Sequence, residues 1–250
     1  MPFMSITNPK FFLVTALLIA PSTQAQVYPT TKIEGDIGWA TYRTPAIART
    51  SDKAQTFLPY VYADYGNYYA RVDTFGYKLM PIATGHLELT ARLSFENYAP
   101  KNTAIKSRSR PVPLGIGTFQ ETPYGALFGY AYKDAVSGGT FLDGTYAAEL
   151  TVSQLKIYPQ IGLERRSKKY VQHLYGVNDQ EALSSGMMAY TPTNSWIPSV
   201  AVAFEYPLGG DLKLTYQVKK KWLDKSIYAS PLVDVKSQTS SMLGMSMAFN

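Results

Sequence analysis

The segment His86-Leu87-Glu88-Leu89-Thr90-Ala91-Arg92-Leu93-Ser94-Phe95-Glu96 decides the fold. Leu87, Leu89, Ala91, Leu93 and Phe95 share one parity, and His86, Glu88, Thr90, Arg92, Ser94 and Glu96 share the other. Successive side chains of a β-strand point to opposite faces. The segment therefore predicts a strand with one wholly apolar face and one face rich in ionisable groups. On a helix the same residues would be spread around the axis.

The same period of two recurs in both directions along the chain. Leu155, Ile157, Pro159, Ile161 and Leu163 oppose Lys156, Tyr158, Gln160, Gly162 and Glu164. Leu212, Leu214, Tyr216 and Val218 oppose Asp211, Lys213, Thr215, Gln217 and Lys219. Val200, Val202, Phe204 and Tyr206 oppose Ser199, Ala201, Ala203 and Glu205, and Tyr124, Ala126, Phe128, Tyr130 and Tyr132 oppose the smaller Gly125, Gly129 and Ala131. Strand segments fall near 33–42, 55–65, 68–79, 86–96, 110–120, 124–133, 140–150, 155–166, 197–206, 211–221 and 240–249.

A soluble sandwich also alternates, so alternation alone leaves two architectures. Length, loops and the C-terminus separate them. The segments approach the roughly 9–11 residues that a tilted strand needs to cross a bilayer. Tight turns at 65–68, 121–124 and 207–210 contrast with long connections at 97–109, 167–196 and 222–239. The chain also closes on a strand with Phe249 next to its end. Short turns on one side and long loops on the other mark an outer-membrane barrel. The prediction is all-β: a transmembrane antiparallel β-barrel. Eleven segments are counted, but bacterial single-chain barrels have an even number of strands, so twelve is expected, with ten as the fallback. With both termini in the periplasm, the three long connections lie outside.

Composition agrees with this architecture. The 250 residues contain no Cys, which removes disulfides, thiol catalysis and Cys-ligated metals. Only 17% of residues are charged and mean hydropathy is −0.14, too polar for a bundle of membrane helices. Twenty Tyr suit an interface where an apolar ring and a wet hydroxyl are both satisfied. The net charge of +6 is scattered in small clusters at Lys106–Arg110, Arg165–Lys169 and Lys219–Lys221. These read as strand-end and loop charges facing water and anionic lipid headgroups, not as a nucleic-acid footprint.

Residues 1–25 read as a secretory signal peptide. Lys10 supplies the positive charge, Phe11–Ala20 the apolar core, and Thr23-Gln24-Ala25 the small residues of a cleavage site. Ten apolar residues are too few to span a bilayer, which takes about 20. Cleavage before Gln26 leaves 250 − 25 = 225 residues. The domains are thus 1–25, signal peptide, and 26–250, outer-membrane barrel.

Four stretches carry a resemblance to a family. They are Gly35-Asp36-Ile37-Gly38-Trp39, Phe57-Leu58-Pro59-Tyr60-Val61-Tyr62-Ala63-Asp64-Tyr65-Gly66, Tyr175-Gly176-Val177-Asn178-Asp179-Gln180-Glu181-Ala182 and Ser230-Pro231-Leu232-Val233-Asp234. In order and spacing the chain resembles the MipA/OmpV family of outer-membrane proteins across nearly its whole mature length. Family members commonly end on the aromatic, whereas here Asn250 follows Phe249. The resemblance implies an outer-membrane scaffold, in some members linking a lytic transglycosylase to a bifunctional penicillin-binding protein. It implies no catalytic residues.

The residues offer little independent chemistry. There is no Gly-x-Ser-x-Gly elbow, no His-Glu-x-x-His and no phosphate-binding glycine loop, so no cofactor or metal is expected. Of the two histidines, His86 reads as a lumen residue at a strand end and His173 as a surface residue. The longest loop mixes basic and aromatic groups at Lys168, Lys169, Tyr170, His173 and Tyr175, and is the candidate contact loop for a partner or for anionic lipid, lipopolysaccharide included. The inward charges Glu88, Arg92, Glu96, Lys156, Glu164, Lys213 and Lys219 raise a narrow channel as the first rival function. About twelve strands leave little room, since aqueous channels come with about 16–18. A lipid-modifying enzyme using His86 or His173 is the second rival. The function expected is a non-enzymatic scaffold for peptidoglycan remodelling in the outer membrane.

Overall fold

The computed structural model describes residues 32–48, 55–96 and 104–249. The leader and its cleavage site before Gln26 lie outside the described residues. Thirteen strands form one sheet: β1 (Glu34–Arg43), β2 (Gln55–Tyr65), β3 (Tyr68–Arg71), β4 (Thr74–Ile82), β5 (Gly85–Arg92), β6 (Pro113–Thr122), β7 (Gly125–Asp134), β8 (Thr140–Ala148), β9 (Leu150–Val152), β10 (Leu155–Arg166), β11 (Ser195–Gly209), β12 (Leu212–Trp222) and β13 (Ser237–Phe249). Every neighbouring pair is antiparallel. β1 pairs with β13 and β10 with β11, which closes the sheet into a barrel.

β8 and β9 are one stave interrupted at Glu149, so the barrel has the twelve staves expected. The twelfth arises inside the segment read as one strand at 68–79. There the chain reverses at Val72-Asp73 and makes the separate strands β3 and β4, paired Arg71↔Thr74. Val72 has a φ of 56°, which lets the reversal happen in two residues. A β-branched residue rarely adopts that conformation, so the position that makes the turn was not marked in the sequence.

The alternation sets the faces. Ile37, Trp39, Leu89, Leu114, Ile116, Ile161, Leu163, Leu243, Met245 and Met247 form an exposed apolar belt, as a lipid-facing wall must. Glu88, Thr90, Asp143, Glu164, Arg166, Ser199 and Ser246 face inward and are buried. β7 reverses the usual assignment: its aromatic parity, Phe128, Tyr130 and Tyr132, faces the lumen, while Leu127 is exposed outside. The cross-strand partner of Tyr130 is Gly117, and a Cβ there would come 2.1 Å from the Tyr130 ring. The ring fills the space the missing side chain leaves, so bulk on β7 is compensated by glycine on β6. Among the described residues no helix is long and apolar enough to cross a membrane, and the strands make the crossing.

Connections between strands are of two kinds. The turns at 66–67, 83–84, 123–124 and 210–211 hold two residues each, and they lie at the end of the barrel where β1 begins and β13 finishes. The described residues that follow β1 and β5 or precede β6, and the connections at 167–194 and 223–236, lie at the opposite end. Barrels of this kind keep short turns in the periplasm and long loops outside. The long loops carry three helices: α1 (Lys168–Tyr175), α2 (Asp179–Ser185) and the single turn α3 (Lys225–Tyr228).

Candidate functional site

The long loops build a second core across the outer mouth of the barrel. α1 places Tyr170, Val171, Leu174 and Tyr175 on one buried face, the i, i+1, i+4, i+5 spacing of an amphipathic helix. They pack with Ile47, Ile105, Ile227, Leu232 and Val233 from the other loops, and with Tyr132, Phe141 and Ile197 from the inner rim of the wall. Val171, Ile197, Ile227 and Leu232 are each 0% exposed, so this cap is dry. Burial pushes the Tyr175 hydroxyl well above its ordinary range, and Tyr170 moves the same way.

α2 is held to the cap by polar contacts. Asn178 accepts from the Glu181 amide at 2.8 Å, while the Glu181 carboxylate accepts from the Asn178 amide at 3.2 Å, a complete capping box. The same carboxylate accepts from both the Lys106 amide and the Arg108 guanidinium, the latter at 2.8 and 2.9 Å. Burial opposes its charge, but Arg108 and the two amides outweigh burial and hold Glu181 below the usual carboxylate range. Between α1 and α2 lies a cleft of about 360 Å³ lined by Lys106, Arg108, Gln172, His173 and Asn178 among others.

Beneath the cap the lumen is crossed by ion pairs. Arg166 donates to Glu96 at 2.7 and 2.8 Å and to Glu164 at 2.8 Å, and Lys221 donates to Glu164 from the far side. Arg92 donates to Asp143 at 2.6 Å and lies near the Tyr130 and Tyr132 rings. Lower down, Asp64 joins Arg71 and Lys78, and Asp36 joins Lys213. Most inward charges singled out in the sequence are thus neutralised within the wall. Buried charges persist when paired and hydrogen-bonded, and they brace strands that are far apart in sequence.

The residues of the candidate contact loop divide into two groups. Lys168 and Lys169 are exposed and His173 is half-buried, its Nε2 2.9 Å from the Ser109 carbonyl oxygen. Tyr170 and Tyr175 are 4% and 3% exposed and belong to the cap core. A loop read as irregular hides that distinction, but the helical spacing of Tyr170, Val171 and Leu174 carries it. Asn178-x-x-Glu181, the other missed signal, was legible as a capping box. His86 faces the lumen with its Nε2 2.8 Å from Glu88 Oε2. The His86 ring contacts a carboxylate oxygen and the His173 ring a carbonyl oxygen. Among the described residues no group of His, Asp and Glu is arranged to hold a metal ion.

Residues 37–249 match the model of one family, described as MltA-interacting protein MipA. The chain belongs to the MipA family. The MltA-interacting protein of Escherichia coli K12 is 26% identical over 185 residues, covering 71% of this chain and 75% of that one. The E. coli K12 protein named "Putative outer membrane protein YiaT" is 22% identical over 202 residues, covering 77% and 81%. Among solved structures, the outer membrane channel DcaP of Acinetobacter baumannii aligns with a TM-score of 0.38 at 10% identity, over 87% of this chain and 96% of that one. The barrel described above is thus a MipA-family outer-membrane protein.

Proposed function

We propose that this MipA-family barrel is a non-enzymatic outer-membrane scaffold that docks a lytic transglycosylase on its periplasmic side, with a bifunctional penicillin-binding protein as a second partner. The observation that carries the reading is the match over residues 37–249 to a family described by its interaction with MltA. The dry cap favours a scaffold over a conduit, because a solute would have to displace a fully buried apolar cluster.

A murein enzyme meets the periplasmic end, where the barrel offers only turns and strand ends. Those turns present large side chains: Tyr65, Tyr68 and Tyr124 are 50%, 62% and 78% exposed. Tyrosine offers contact area at low entropic cost and is enriched at protein interfaces. The test places a photo-crosslinking side chain at Asn67 or Tyr124 in intact cells, with a control at Leu183 on the outer cap. Recovery of a lytic transglycosylase from the periplasmic positions alone is expected. Equal recovery from Leu183, or none from any position, would sink the proposal.

A further inference from the structure

We infer that the outer ends of β10, β11 and β12, with the start of α1, form a docking patch for lipopolysaccharide of the outer leaflet. Arg165 is the penultimate residue of β10, Trp196 the second of β11, and Lys220 and Trp222 close β12. Their parity is opposite to that of the inward Glu164, Arg166, Ile197 and Lys221, so all four point away from the lumen.

Arg165 is the cross-strand partner of Trp196 and its guanidinium lies 5.6 Å from that ring. Lys220 Nζ lies 5.5 Å from the Trp222 ring. Each cation is thus held at the wall by an aromatic neighbour that itself favours the membrane interface. One turn above, Lys168 and Lys169 are exposed at the start of α1. Ile161 and Leu163 precede Arg165 on β10 and Val200 pairs with Lys220, and all three are exposed on the same outer face.

The arrangement matches one kind of ligand. Cations at headgroup level suit phosphate, and the apolar row beneath suits acyl chains. No Asp or Glu shares the outward face at these three strand ends. The nearest acid, Asp224, is committed to the amides of Trp196 and Ser226. The patch lies at the end that carries the long loops, so the phosphate-bearing amphiphile it meets is that of the outer leaflet.

The test compares the wild-type barrel in detergent with Arg165→Gln/Lys220→Gln. Retained lipid is read by native mass spectrometry after addition of lipopolysaccharide or of phosphatidylglycerol. Wild type is expected to retain lipopolysaccharide in preference to phosphatidylglycerol. The double variant should lose about tenfold in apparent affinity, the scale of one or two charge-assisted contacts. Lys168→Gln/Lys169→Gln, which leaves the wall untouched, should lose a few-fold and covers the case in which the first variant does not assemble. Lys133→Gln, an outward cation on β7, should change nothing. Unchanged retention in the assembled patch variants, or equal retention of the two lipids by wild type, overturns the inference. It is independent of any periplasmic partner.

Discussion

Glu181 shows how one side chain ties two segments of the cap together. Its carboxylate caps its own helix and accepts from Lys106 and Arg108, over 70 residues away in sequence. These contacts lower its pKa, so the sign of their pH dependence is fixed. The stabilisation is complete above the ordinary carboxylate value and is lost as pH falls through the depressed value of the folded protein. As pH falls below the ordinary carboxylate range the α2 amides are therefore expected to lose protection relative to their intrinsic exchange rates, while the strands keep theirs. Hydrogen exchange followed by mass spectrometry reads this directly. Glu181→Gln should show the fast exchange already at pH 7, with a local cost of about 1–3 kcal/mol for the lost charge-assisted bonds. Identical α2 protection factors at neutral and acid pH would remove Glu181 as the clasp.

Strands were legible where their two faces differ chemically, and opaque where they do not. Leu87 to Phe95 alternate with ionisable residues, and β5 starts within one residue of where the pattern places it. β7 reads Ala126, Phe128, Tyr130, Tyr132 against Leu127, Gly129, Ala131, and size alone does not say which row meets lipid. The answer lies on the neighbouring strand, in Gly117, and pairing is not visible in one segment. The Val72-Asp73 reversal was hidden for a similar reason: its positive-φ position is held by Val72 and not by the Gly, Asn or Asp that mark such turns, and Asp73 by itself is a weak signal. In the contact loop, the exposed lysines were readable as charge, but the burial of Tyr170 and Tyr175 required a helix and a barrel mouth to bury them. The β6–β7 pairing makes its own prediction. Gly117→Ala should drive Tyr130 off the wall and cost about 1–3 kcal/mol by overpacking. Adding Tyr130→Ala should recover part of that loss, because the clash is removed with the ring. The comparison is made by denaturant unfolding in detergent or lipid. A double variant worse than the sum of the two singles would refute the compensation.

Seen whole, the molecule is a barrel whose interior is occupied by two different kinds of contact. The apolar cap lies over the outer mouth, and beneath it Arg166 ties the end of β10 to Glu96, beyond β5, while Glu164 ties β10 to Lys221 of β12 over the intervening β11. Opening a path would mean wetting the apolar cluster and separating buried ion pairs; breaking one such pair by removing a partner costs about 3–5 kcal/mol. Thermal fluctuation supplies that rarely, so the wild-type barrel is expected to be electrically silent in a planar bilayer. The two kinds of contact are in series, and the expected phenotypes differ accordingly. Val171→Asp/Leu232→Asp places charges in the cap and should loosen it, raising exchange in α1 and α3 while the bilayer stays silent, because the ion pairs still span the lumen. Adding Glu96→Ala and Glu164→Ala leaves Arg166 and Lys221 without these counter-charges and removes the contact that crosses the lumen. Brief, anion-preferring openings are then expected. Steady conductance from the wild-type protein, surviving independent preparations, would contradict this account and make the lumen, not the rim, the functional surface.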